Sequence, residues 1–303
     1  MVLPESFKTT IIGAHGERGS GWLRALPSII QDCVERFSIS LATPFDNLSF
    51  NLVIPGKLPD GTEAVLKLGV PNKELTSEAR ALRLYQGFGA VRLFDADPER
   101  GILLLERAIP GEPICELEDE KSSATIAAMV MSRLWREPSG GSEFPSLRNW
   151  FQGGFERQRA RFRGTNGPLP SAMVDRAERV AAELLATSQR EVLLHGDLHH
   201  LNILAATREP WLVIDPKGVI GDPAFEPAIY LLNQLPRCPA EREIIDLLER
   251  RISIFSEVLS IPRERIVGWV RSFAVLSAWW SFEDSSGGWE EGIALAEIVS
   301  KCA

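Results

Sequence analysis

Apolar positions change their spacing along the chain, and the elements they predict fall into two groups. After a helical stretch ending near Phe37, the segments 49–54, 62–68, 90–94 and 101–106 are short and apolar. Turn residues such as Pro59-Asp60-Gly61 and Asp97-Pro98-Glu99-Arg100-Gly101 bound them. Runs of this kind are strands of a mostly antiparallel sheet. Between the second and third, Leu75, Ala79, Leu82 and Tyr85 fall at helical spacing with Gly87 as a stop, which predicts a helix over 73–86. Beyond Pro110-Gly111-Glu112-Pro113 helical patterns dominate. In Met173, Val174, Ala177, Val180, Ala181, Leu184 and Leu185, for example, steps of three and four mark one amphipathic helix. Ile203-Leu204 and Trp211-Leu212-Val213-Ile214 are too short for helices and flank a turn, as the arms of a hairpin would.

This order of elements reads as an α+β chain in two lobes. A β-rich lobe spans 1–105, with a helical extension over 1–40, and a hinge spans 106–113. A larger, mainly helical lobe spans 114–303 around the hairpin. No internal repeat occurs, so solenoids and propellers are excluded. The glycine-rich stretch from Gly13 to Gly21 lacks the Gly-Lys-Ser/Thr ending of a phosphate loop and precedes the sheet, so it is read as a turn region.

Composition narrows the function. With 33 Lys and Arg against 41 Asp and Glu the net charge is −8, and no run of cations exceeds Arg250-Arg251. A nucleic-acid partner is therefore not expected, whereas a cationic small molecule suits the balance. Cys33, Cys115, Cys238 and Cys302 form no Cys-x-x-Cys pair and read as reduced thiols. Pro4, Glu5 and Lys8 interrupt the start where a signal peptide needs an apolar core, and no apolar stretch of membrane-spanning length follows. A cytoplasmic location without membrane association is expected.

Candidate chemistry concentrates in Leu193-Leu194-His195-Gly196-Asp197-Leu198-His199-His200-Leu201-Asn202-Ile203-Leu204, followed by Trp211-Leu212-Val213-Ile214-Asp215-Pro216-Lys217-Gly218. Asp197 and Asn202 have the Asp-x-x-x-x-Asn spacing of a kinase catalytic loop, and Asp215 follows after the hairpin. Phosphoryl transfer needs a carboxylate beside the attacking hydroxyl, a role that suits Asp197. It also needs hard oxygen ligands for magnesium, which Asn202 and Asp215 supply. An alternative gathers His195, Asp197, His199 and His200 into a transition-metal site, but it leaves Asn202, Asp215 and the first lobe unused. A kinase also needs a strand lysine paired to a helix glutamate. Lys67, inside Ala64-Val65-Leu66-Lys67-Leu68, fits the first role, with a solvent-facing lysine as the other reading. Glu78 fits the second, with Glu74 in reserve. Asn47 and Ser49 are candidates for phosphate contacts in place of a glycine loop. Glu106 and Ala108, where the last strand runs into the hinge, are candidates to offer backbone groups to the nucleotide base.

The run His195-Gly196-Asp197-Leu198-His199-His200-x-Asn202-Ile203, with Trp211-Leu212-Val213-Ile214-Asp215-Pro216, resembles the aminoglycoside phosphotransferase family, and within it the streptomycin 6-phosphotransferase and hydroxyurea phosphotransferase branch. Asp60-Gly61-Thr62, Lys67, Gly89-Ala90-Val91-Arg92-Leu93 and Leu276-Ser277-Ala278-Trp279 extend the resemblance over roughly 45–282. The resemblance implies a protein-kinase-like fold, ATP with Mg2+, and transfer of the γ-phosphoryl group to a small-molecule hydroxyl. It also implies Asp197 as catalytic carboxylate, Asn202 and Asp215 as metal ligands, and Lys67 with Glu78 as the phosphate-orienting pair. A streptomycin-like acceptor carries guanidinium groups, so Asp222, Glu226, Glu283 and Asp284 are expected to meet it, with His199 beside them. Asp222 equally fits an N-cap before Pro223. Trp279 and Trp280 read first as core residues, and as stacking residues second. A metabolic kinase for a sugar or amino alcohol, or a silent nucleotide-binding protein, remains the alternative.

Overall fold

A computed structural model describes residues 3–138, 143–235, 240–283 and 287–302. Two compact units divide the chain, 1–111 with 206–208, and 112–205 with 209–303. The division falls between Gly111 and Glu112. Three residues from late in the sequence complete the first unit.

The first unit begins with α1 (Glu5–Phe37), whose backbone leaves helical geometry at Gly16, with φ 55° and ψ −130°. Only glycine adopts that conformation without strain. The expected turn across 13–21 is thus confined to one residue, with helix on both sides. The two segments meet closely: a Cβ on Gly19 would stand 2.5 Å from the Ile11 carbonyl oxygen. The rings of Phe7 and Trp22 meet edge to face with centroids 6.4 Å apart. Phe7, Ile11, Trp22, Leu26 and Cys33 then form a core with Leu52, Ile54, Leu66, Leu68 and Ile102. The N-terminal extension is therefore the cover of one sheet face.

That sheet comprises β1 (Ser40–Leu41), β2 (Asn51–Lys57), β3 (Glu63–Gly69), β4 (Leu93–Asp97) and β5 (Ile102–Glu106), antiparallel throughout in the order β1-β2-β3-β5-β4. Side chains alternate between faces along a strand. With Leu66 and Leu68 against α1, Lys67 points to the opposite face, toward α2 (Lys73–Tyr85). Asn72 caps α2 by accepting the Leu75 N–H at 2.9 Å. The fourth strand starts at Leu93, not at Ala90 as expected, because the Gly87 and Ala90 carbonyls accept hydrogen bonds from Arg208 and hold a turn there.

A short strand β6 (Pro110–Pro113) precedes the helices α3 (Glu120–Leu134), α4 (Leu147–Arg161) and α5 (Ser171–Ala186). Then β7 (Val192–Leu194) pairs antiparallel with β10 (Val219–Gly221), and between them β8 (Ile203–Ala206) and β9 (Trp211–Val213) form the hairpin, with Ile203 opposite Val213. α6 (Glu226–Leu231), α7 (Glu241–Leu259), α8 (Arg263–Glu283) and α9 (Trp289–Val299) complete the second unit. Trp269, Leu276 and Trp279 of α8 are fully buried, so that helix is the axis of this core. Among the described residues no helix is long and apolar enough to cross a membrane. Cys33 and Cys302 are buried free thiols and Cys115 is a half-buried one, while Cys238 lies outside the described residues.

Candidate active site

In the first unit Lys67 Nζ lies 2.8 Å from each carboxylate oxygen of Glu78, and both side chains are buried. A buried ammonium needs such a partner, because its desolvation is otherwise unrecovered. Glu74, the reserve candidate, is exposed in the first turn of α2. Asn47 and Ser49 stand exposed on the segment leading into β2. At the end of β5, Glu106 accepts from Arg208 Nε at 2.7 Å, from Arg208 Nη2 at 2.8 Å and from the Arg92 N–H at 2.9 Å. Burial works to raise its carboxyl, but the Arg208 guanidinium and the Arg92 amide outweigh it and hold the group below the usual carboxylate range. Its side chain thus fixes the strand end, and the contacts expected here for a nucleotide base are those of backbone groups. Ala108 follows, half-buried.

The loop after β7 is held from beneath. Glu226, the first residue of α6, is fully buried and accepts the His195 N–H at 2.7 Å and the Gly196 N–H at 2.9 Å. Burial pushes its carboxyl up to about 7, against the pull of those two amides. Gly196 takes φ 80°, a region that L side chains avoid. The Asp197 N–H then donates to His195 Nδ1 at 3.2 Å, while His195 Nε2 is 2.8 Å from the Ile214 carbonyl. With Nδ1 as the acceptor, Nε2 is the protonated nitrogen. Desolvation drives the imidazole down to about 4, so it is neutral near pH 7.

Asn202 Nδ2 donates to the Asp197 carbonyl at 2.9 Å, and the Ile214 N–H donates to the Asn202 carbonyl at 3.1 Å. The loop and the strand end before Asp215 are thereby tied together. Because Nδ2 is committed, Asn202 Oδ1 is the amide atom left for a cation. Asn202 Oδ1 and the Asp215 carboxylate are hard oxygens of the kind that could hold magnesium. Asp215 itself adopts φ 59°. His199 accepts the Leu201 N–H through Nδ1 at 3.3 Å, and its Nε2 lies 3.3 Å from Asn202 Nδ2, so it braces the loop. Desolvation lowers its pKa as well.

The transition-metal alternative fails on this geometry. His195 is spent on backbone groups, and His200 stacks on Tyr230 with centroids 3.7 Å apart. Among the described residues no three His, Cys, Asp or Glu side chains converge to hold a metal.

Three of the four expected acceptor carboxylates have partners within the protein. Asp222 is an N-cap: Oδ1 accepts the Ala224 N–H at 3.0 Å, and Oδ2 accepts from Arg265 Nε at 2.7 Å and Trp269 Nε1 at 2.8 Å. Glu226 is buried beneath the loop, as described above. Glu283 is paired with Arg157, whose Nε lies 3.0 Å from Oε1. Asp284 lies outside the described residues. Spacing along the chain does not report that Glu226 faces inward, so its place at the acceptor is corrected, while Asp222 follows its N-cap reading.

Two residues near the loop carried no assignment. Lys217 Nζ lies 3.6 Å from Asp197 Oδ2, and its place two residues after Asp215 was the available signal. Trp150 of α4 approaches Gly196, where an added Cβ would stand 3.3 Å from its Cη2. Nothing in the local sequence marks it.

A streptomycin 6-kinase of Streptomyces glaucescens is 30% identical over 98% of this chain and 96% of its own length. A hydroxyurea phosphotransferase of Kitasatospora aureofaciens is 33% identical over 94% of this chain and 82% of its own. The first alignment carries the likeness across the N-terminal helical segment, beyond the 45–282 of the motif resemblance. Among solved structures, a choline/ethanolamine kinase family protein from Mesorhizobium loti superposes with a TM-score of 0.62 at 15% identity, covering 88% of this chain and 89% of that one. Aminoglycoside phosphotransferase APH(4)-Ia gives 0.61 at 14% identity, covering 92% and 99%. The fold is thus protein-kinase-like, a small antiparallel lobe with a larger helical one. Residues 42–285 match the family described as aminoglycoside/hydroxyurea antibiotic resistance kinase, and with relatives aligned over nearly the whole chain, this small-molecule kinase belongs to that family.

Proposed function

We propose that the protein transfers the γ-phosphoryl group of ATP to a hydroxyl of a streptomycin-type aminoglycoside. The observation that carries the reading is the tied loop, in which Asn202 Nδ2 grips the Asp197 carbonyl and leaves one amide oxygen beside the Asp215 segment. Asp197 accepts the proton of the acceptor hydroxyl and orients it for in-line attack. Lys217, next to that carboxylate, adds positive charge where the transferring group gains negative charge. Lys67, steadied by Glu78, holds the nucleotide phosphates. Asn202 and Asp215 would hold Mg2+, which when bound would supply charge neutralisation on nucleotide phosphates. The 30% identity to a streptomycin 6-kinase supports the acceptor class.

The 33% identity to a hydroxyurea phosphotransferase favours hydroxyurea as the second reading. Magnesium-dependent ADP release with streptomycin, 2-deoxystreptamine aminoglycosides, hydroxyurea, sugars and amino alcohols separates them. Turnover selective for streptomycin is expected. Turnover with a sugar or amino alcohol alone would replace the acceptor, and Asp197→Ala with full activity would remove the catalytic assignment.

A further inference from the structure

Recognition of a cationic acceptor needs negative charge or an electron-rich face near Asp197. Three of the four carboxylates expected for it are committed elsewhere: Asp222 to Arg265 and Trp269, Glu226 to the loop amides, and Glu283 to Arg157. What does lie beside the catalytic loop is aromatic.

Trp150 reaches the backbone of Gly196 through its Cη2 edge, adjacent to Asp197 in the chain. A side chain at 196 would collide with it and with Val219 Cγ1, so the glycine also allows this close approach. Trp280 of α8 meets Trp150 edge to face, with centroids 5.5 Å apart and planes at 83°. Phe225 supports Trp150 from another side at 6.2 Å. Both indoles are half-buried. Among the described residues neither ring N–H has a hydrogen-bond partner, and neither is closed off as that of the core residue Trp279 is. The pair is set on rigid elements, because Gly154 and the Arg157–Glu283 bond lock α4 to α8 farther along the same faces. Two rigid, partly open indoles, one of them set against the loop at Gly196, are what a guanidinium-bearing ring can stack upon.

We propose that Trp150, with Trp280, is the specificity surface of the acceptor site and takes a guanidinium group of the acceptor by cation–π contact, with the indole N–H groups donating to acceptor oxygens. This rests on the phosphotransferase reading above.

The test is steady-state kinetics of the full chain with streptomycin and magnesium-ATP, comparing Trp150→Leu, Trp280→Leu and Trp150→Phe, together with tryptophan fluorescence on streptomycin titration. Trp150→Leu should raise the KM for streptomycin about tenfold or more while the KM for ATP stays within about twofold. Trp150→Phe, which keeps an aromatic face, should raise the streptomycin KM only about two- to fourfold. Streptomycin should quench wild-type fluorescence, and Trp150→Phe should lose most of that change. If Trp150→Leu does not fold, Trp150→Phe and Trp280→Phe decide, and the same selective rise in streptomycin KM is required. Unchanged streptomycin KM in the variants, or a parallel rise for ATP, overturns this inference alone. Absence of streptomycin turnover in the wild type overturns the acceptor reading and this inference with it.

Discussion

Lys67 and Glu78 form a buried ion pair in which one ammonium meets both carboxylate oxygens at 2.8 Å. Removing either partner alone strands a charge in the interior. Glu78→Leu should therefore cost about 3–5 kcal/mol of stability by urea denaturation, whereas Lys67→Met with Glu78→Leu should cost much less. Both should lose phosphoryl transfer. A double variant no more stable than the single one would show that the pair is not the electrostatic unit described.

Glu226 acts on the loop through two backbone amides. Glu226→Ala leaves both without an acceptor and should cost about 2–5 kcal/mol, and Glu226→Gln, which keeps one acceptor oxygen, about 1–3 kcal/mol. Displacement of Asp197 should lower kcat by about tenfold or more with little change in KM for ATP. A normal kcat in Glu226→Ala would detach this carboxylate from loop geometry.

Acid stability follows from three buried groups. Burial lowers His195 to about 4 and His200 to about 3, below the unfolded histidine value, so their contribution is complete above about pH 6.5 and lost as pH falls toward 4 and 3. Glu226, raised to about 7, works oppositely: its contribution is present below about pH 4.5 and lost as pH rises through 7. Between these limits unfolding takes up two histidine protons and releases one from Glu226. From these groups stability should fall by about 1.4 kcal/mol per pH unit on acidification. His200 makes no hydrogen bond among the described residues and only stacks on Tyr230. His200→Phe should therefore keep the stack and flatten that slope. Urea midpoints at pH 6.5, 5.5 and 4.8 check this, and an unchanged slope would show that His200 is not the titrating group.

The reversal in α1 predicts opposite outcomes for neighbouring glycines. Gly19→Ala must displace the Ile11 backbone and Gly16→Ala must adopt a forbidden conformation, so each should cost about 1–3 kcal/mol. Gly13 is helical with open space around it, and Gly13→Ala should gain about 0.5–1 kcal/mol. Thermal melts of the three variants test the fold-back directly.

What the chain shows by itself depends on the range of the interaction. The Lys67–Glu78 partnership was legible because strand alternation and helix spacing are local, and the loop spacing from Asp197 to Asn202 is local too. Gly16 was not, since a glycine cluster does not reveal which member carries the reversal. The N-cap role of Asp222 is legible before Pro223, but local sequence shows neither its Arg265 partner nor the loop amides that Glu226 serves. Trp150 and Arg208 were invisible for the same reason; the Arg208 bond to the Gly87 carbonyl joins residues 121 positions apart.

Arg208 also decides how the molecule can be taken apart. A fragment ending at 111 would retain every strand of the five-stranded sheet, but Glu106 and the Gly87 and Ala90 carbonyls would lose the guanidinium that neutralises and caps them. The first unit is therefore not a self-contained module to be excised or exchanged between relatives at residue 111. A chimera that swaps it must carry the tip of the β8–β9 hairpin along.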